Sequence, residues 1–80
     1  MRTYSCIIID DEELSRALLE DFISRINHLE LRGKFRNPVE AIPVIRNDSI
    51  DITFLDIQMP EMTGIEFLKT FSKTSNVIFT

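Results

Sequence analysis

The run Tyr4-Ser5-Cys6-Ile7-Ile8-Ile9, stopped by Asp10-Asp11-Glu12-Glu13, constrains this chain more than any other segment. A short run that is apolar on successive residues and β-branched at its end suits a strand buried on both faces, as in a parallel sheet. Acidic residues in the next turn complement the positive end of a helix dipole. Leu14, Leu18, Phe22 and Ile26 then recur at helical spacing, with Ala17, Leu19 and Ile23 beside them. This predicts a helix over residues 12–27 whose apolar stripe faces a core.

The same alternation continues. Leu29, Leu31, Gly33 and Phe35 alternate with Glu30, Arg32 and Lys34, which predicts a strand with one polar face at a sheet edge. Asn37-Pro38 reads as an N-cap followed by proline at the first helical position, opening a helix to about residue 46. Pro43 falls in its second turn, where it removes a donor and crowds the preceding turn, so a short or kinked helix is expected. Residues 50–55 read as a third strand ending on Asp56, and 57–64 as a loop. Residues 66–72 read as a helix and 77–80 as a fourth strand. The order βαβαβαβ implies an α/β fold with a parallel sheet, right-handed crossovers and helices on both faces.

Eighty residues make one small domain, and a domain this small has a thin stability margin. The net charge of −4 opposes binding of this segment to nucleic acid. The lone Cys6 excludes an internal disulfide and fits a reduced, buried thiol in a cytoplasmic protein. The longest uninterrupted apolar run is far below the ~20 residues of a membrane span, so no membrane partner is expected.

Parallel strands share one carboxyl edge, where open α/β sheets bind ligands. Asp10 and Asp11 follow strand one, Asp56 follows strand three and Thr80 ends strand four. Taken singly, the acidic run is an ordinary helix start and Asp56 an ordinary turn residue. Together, if strands one and three are neighbours about 5 Å apart, three carboxylates converge. Such crowding raises a pKa or recruits a cation. An all-oxygen donor set favours Mg²⁺. A carboxylate beside that cation can serve as a nucleophile toward phosphorus. Asp56 is then the phosphoryl acceptor, Asp11 holds the metal with Asp10 behind it, and Thr80 offers a hydroxyl to a phosphoryl oxygen.

The segments IIIDDEELSRALLEDF, ITFLDIQMPEMTGIEFLK and VIFT closely resemble the receiver domain of two-component response regulators. In the middle segment an acceptor aspartate, Met-Pro three and four residues later and Gly eight later match the family pattern together. Its wording is similar to regulators that carry a LytTR-type DNA-binding domain.

The resemblance implies a flavodoxin-like doubly wound sheet of order 2-1-3-4-5 and phosphorylation of Asp56 by a histidine kinase. It implies Mg²⁺ held by Asp11, Asp56 and the Gln58 backbone carbonyl, with Asp10 acting through water. It makes Thr80 the switch hydroxyl and implies a transcriptional output. The family's strand five, its lysine and its last two helices are absent from these 80 residues, which therefore form a partial receiver with order 2-1-3-4. Alone, such a segment is expected to be unstable, paired through its open edge as a homodimer, or domain-swapped. Two other readings stand beside this one. One is a receiver-like interaction module that is never phosphorylated. The other is a Mg²⁺-dependent phosphohydrolase, a class that usually has a second aspartate where this chain has Gln58.

Overall fold

The computed structural model describes residues 2–47, 49–56 and 76–79. Gln58, Thr80 and the loop and helix expected over 57–72 lie outside the described residues. The described elements are β1 (Tyr4–Ile9), α1 (Glu13–Ser24), β2 (Leu29–Phe35), α2 (Pro38–Asn47), β3 (Ile52–Leu55) and β4 (Asn76–Phe79). All strand pairs are parallel, in the order β2-β1-β3-β4. The α/β architecture and the strand order expected from the sequence are both present.

β1 is the shared wall of two cores. Ile7 and Ile9 pack with Ala41, Ile45, Ile50 and Leu55 on the α2 side. Cys6 and Ile8 pack with Ile23 on the α1 side, where Leu19, Leu29 and Ile52 join them. Alternation along one strand therefore feeds both layers, which is why this run has no polar face. At the amino-terminal side of the sheet, Ser5 fastens β1 to the segment entering β3. Its hydroxyl donates to the Ser49 carbonyl at 2.6 Å, and its N–H donates to Asp51 Oδ2 at 2.9 Å.

Three expectations need correction. The stripe expected to face the core is exposed: Leu14 is 65%, Leu18 54% and Phe22 61% accessible. The sheet instead takes the adjoining row, with Ile23 buried and Leu19 packed against it. Apolar residues cover more than one face of α1, so periodicity alone could not say which row the sheet would take. The helix also ends three residues earlier than expected. Arg25 N–H and Ile26 N–H bond back to the Phe22 and Ile23 carbonyls, tightening the last turn. Finally, β2 does not keep one polar face. Its register on β1 shifts between Cys6 and Ile7, which oppose Leu31 and Gly33. The extra residue, Arg32, moves later side chains to the other face of the sheet. Leu29 and Leu31 accordingly pack on the α1 side and Phe35 on the α2 side. Lys34 reaches Glu20 of α1 at 2.8 Å.

The N-cap reading at α2 holds: Asn37 Oδ1 accepts the Glu40 N–H at 2.9 Å. α2 continues through Pro43 for 10 residues. Pro43 faces solvent, while Ala41 and Ile45 bury against the sheet on either side of it.

Candidate functional site

Two backbone hydrogen bonds carry the sheet ladder beyond the strands and set the site. Asp10 N–H donates to the Phe35 carbonyl and Asp56 N–H to the Ile9 carbonyl, each at 3.0 Å. They dock the end of β1 against β2 and the end of β3 against β1. Asp10, Asp11 and Asp56 consequently meet at one edge, with a carboxylate oxygen from each lying within 4.8 Å of the others. The structure brings together the three carboxylates expected from the sequence, while Gln58 and Thr80 lie outside the described residues.

Their surroundings differ. Asp11 is exposed, Asp56 is half-buried and Asp10 is 5% accessible. Burial pushes the Asp10 carboxyl above the ordinary aspartate range. The Glu12 N–H, which donates to Asp10 Oδ1 at 2.9 Å, partly offsets this, and the charges of Asp56, Asp11 and Glu12 add to the rise. The same bond closes an Asx turn at the entry to α1, whose N-cap residue Glu12 makes no side-chain cap of its own. One residue escaped the sequence reading: Arg16 Nη1 donates to the main-chain oxygen of Asp10 at 2.7 Å. Its only sequence signal is that it is the sole cation between residues 10 and 24.

Three carboxylates with no thiolate or imidazole form a hard, all-oxygen donor set, which fits Mg²⁺.

The raised Asp10 pKa has a testable sign. Folded Asp10 binds its proton more tightly than unfolded Asp10 does. Its contribution to stability is therefore lost as pH rises through the folded pKa, and above that pH the metal-free fold carries the penalty of a buried charge. Asp10→Asn removes this charge and keeps an acceptor for Glu12. In EDTA at pH 7 it is expected to raise Tm, as measured by thermal melts of the two proteins side by side. Below the ordinary aspartate range the difference should close, as Asp10 becomes neutral in both states. An unchanged or lowered Tm at pH 7 would count against a charge penalty at Asp10.

Comparison with known proteins bears on this geometry. A family model described as the response regulator receiver domain matches residues 6–80. The chain is 38% identical over 64 residues to an uncharacterized response regulatory protein of Shewanella oneidensis, covering 80% of this chain and 27% of that one. It is 39% identical over 69 residues to a protein-glutamate methylesterase/protein-glutamine glutaminase of Nitrosomonas europaea, covering 86% and 19%. The chain thus spans about a fifth to a quarter of these curated relatives. Among solved structures, the response regulator domain of Thermotoga maritima CheB superposes with a TM-score of 0.83 at 30% identity, covering 98% of this chain and 60% of that one. Salmonella typhimurium RcsB superposes at 0.88 with 19% identity, covering 99% and 42%, a likeness of fold. With a parallel sheet in receiver order and a matching family model over nearly its whole length, the chain belongs to the response regulator receiver domain family.

Proposed function

We propose that this chain is the phosphoacceptor part of a two-component response regulator, with Asp56 as the acceptor. Receiver domains of response regulators are phosphorylated on aspartate, usually bind Mg²⁺ through acidic residues and interact with histidine kinases. The observation that carries the assignment here is the convergence of Asp10, Asp11 and Asp56 at the carboxyl edge of β1 and β3. In this reading a kinase phosphohistidine gives up its phosphoryl group. The N–P bond breaks and a bond forms from phosphorus to a carboxylate oxygen of Asp56. Asp11, Asp56 and the Gln58 carbonyl would hold Mg²⁺, with Asp10 acting through water. When bound, the ion supplies neutralising charge for the phosphoryl oxygens. Thr80 serves as the switch hydroxyl.

The chain accepts a phosphoryl group and is not itself an enzyme in this reading. The regulator is cytoplasmic, and its output is transcription through a LytTR-type region outside these residues. No helix among the described residues is long and apolar enough to cross a membrane. β4 lies at the edge of the described sheet, and Ile78 on it is exposed. This supports self-association of the 80-residue chain through that edge. Size-exclusion elution should then shift with concentration; a dilute, concentration-independent monomer would argue against it.

The central test is chemical. Incubation with acetyl phosphate and Mg²⁺ should give an acid-stable, base-labile acyl phosphate, and EDTA should suppress it. Absence of an adduct in the presence of Mg²⁺ would sink the assignment.

A further inference from the structure

We propose that Arg16 is a positioning residue for the carboxylate site, acting through the backbone of Asp10. The inference rests on the reading of that site as a Mg²⁺-dependent acceptor.

Asp10 is pinned at three atoms. Its N–H donates to the Phe35 carbonyl at 3.0 Å, its Oδ1 accepts the Glu12 N–H at 2.9 Å, and its main-chain oxygen accepts Arg16 Nη1 at 2.7 Å. The first bond belongs to the sheet and the second to the helix start. The third comes from a side chain on α1, and it ties the turn after β1 to the first turns of the helix. A charge-assisted bond to a partly buried carbonyl is among the stronger hydrogen bonds a protein makes. It fixes the peptide that joins Asp10 to Asp11, and therefore the direction in which Asp11 leaves the strand. Asp11 is exposed and sits in a bend, and no hydrogen bond or ion pair of its side chain is seen among the described residues.

A guanidinium near a cation site could act in the opposite sense, by repelling the ion. The two effects have opposite signs. Arg16 directs its hydrogen bond to a backbone oxygen, and its charge is screened by solvent because the residue is only half-buried. Positioning should therefore dominate.

Mg²⁺ alone is titrated calorimetrically into the full chain as wild type, Arg16→Gln and Arg16→Lys. Arg16→Gln should weaken Mg²⁺ binding by about 3- to 10-fold. That lies below the roughly 10- to 100-fold typical when a ligand's own hydrogen-bond partner is removed. Lysine should restore part of the loss, since it carries a donor and a charge but lacks the reach and the fork. Unchanged or tighter binding in Arg16→Gln overturns the proposal, tighter binding being the mark of a repelling charge.

A metal-free readout separates this proposal from the reading beneath it. Amide hydrogen exchange at Glu12, measured relative to Ile8, should quicken about threefold or more in Arg16→Gln; an unchanged ratio overturns the proposal. If the wild type binds no Mg²⁺, the acceptor reading fails, and the Glu12 amide alone decides the positioning role.

Discussion

Asp56→Asn is expected to abolish formation of the acyl phosphate while leaving the fold in place. Asparagine has nearly the shape of aspartate, and the backbone N–H that docks residue 56 on the Ile9 carbonyl is untouched. What is lost is the anionic oxygen. An amide oxygen is a far weaker nucleophile toward phosphorus, and the site loses one unit of negative charge with which to hold a cation. Labelling by acetyl phosphate should fall below detection, by more than about 100-fold, a loss of at least ~2.7 kcal/mol in transition-state stabilisation. Urea unfolding of the variant in EDTA should match or exceed that of the wild type, because one of three crowded carboxylates is gone. Undiminished labelling would move the acceptor elsewhere, with Asp11 the first residue to examine.

The largest effect on stability is expected in β1. Ile8 is fully buried in the α1-side core, between Cys6 and Ile23. Ile8→Ala removes buried methyl and methylene groups and leaves a cavity at the centre of the sheet. A cost of about 3–4 kcal/mol follows. Domains of this size have a stability near the low end of about 5–15 kcal/mol, so the variant should be largely unfolded in ~3 M urea. Leu18→Ala on α1 deletes as much carbon from a side chain that is 54% accessible. It should shift the urea midpoint by no more than ~0.5 kcal/mol divided by the m-value. Equal shifts for the two variants would mean that α1 packs through the Leu14, Leu18 and Phe22 row after all.

That pair of residues also marks the limit of what the sequence could reveal. The bounds of β1 were legible to the residue, because three consecutive isoleucines ran into four carboxylates. The buried face of α1 was not, because Leu14, Leu18, Phe22, Leu19 and Ile23 offered two candidate rows, and a tertiary contact made the choice. The bounds of β2 were legible, but its faces were not. The bulge at Arg32 is set by pairing with β1, and nothing in the alternation of LELRGKF announces it. The three carboxylates of the site were legible because topology alone places strand ends on one edge. The contacts that hold them involve backbone atoms: the Glu12 N–H on Asp10, the Asp10 carbonyl on Arg16 and the Asp56 N–H on Ile9. Backbone partners leave no trace in residue type, so the contact of Arg16 with Asp10 is not legible in the sequence.

The central position of β1 has a consequence during synthesis. The strand is made before both of its neighbours, and 46 residues separate Ser5 from its partner Asp51, just before β3. At about 5–20 residues per second, that side of β1 waits roughly 2–9 s for its mate. A six-residue, proline-free and uncharged strand former is the kind of segment that templates aggregates while it waits. The four acidic residues that follow without a gap place repelling charge at its end, as gatekeepers do. Asp10, whose buried charge costs the folded state some stability, therefore belongs to a run that shields the nascent chain before there is a fold to destabilise.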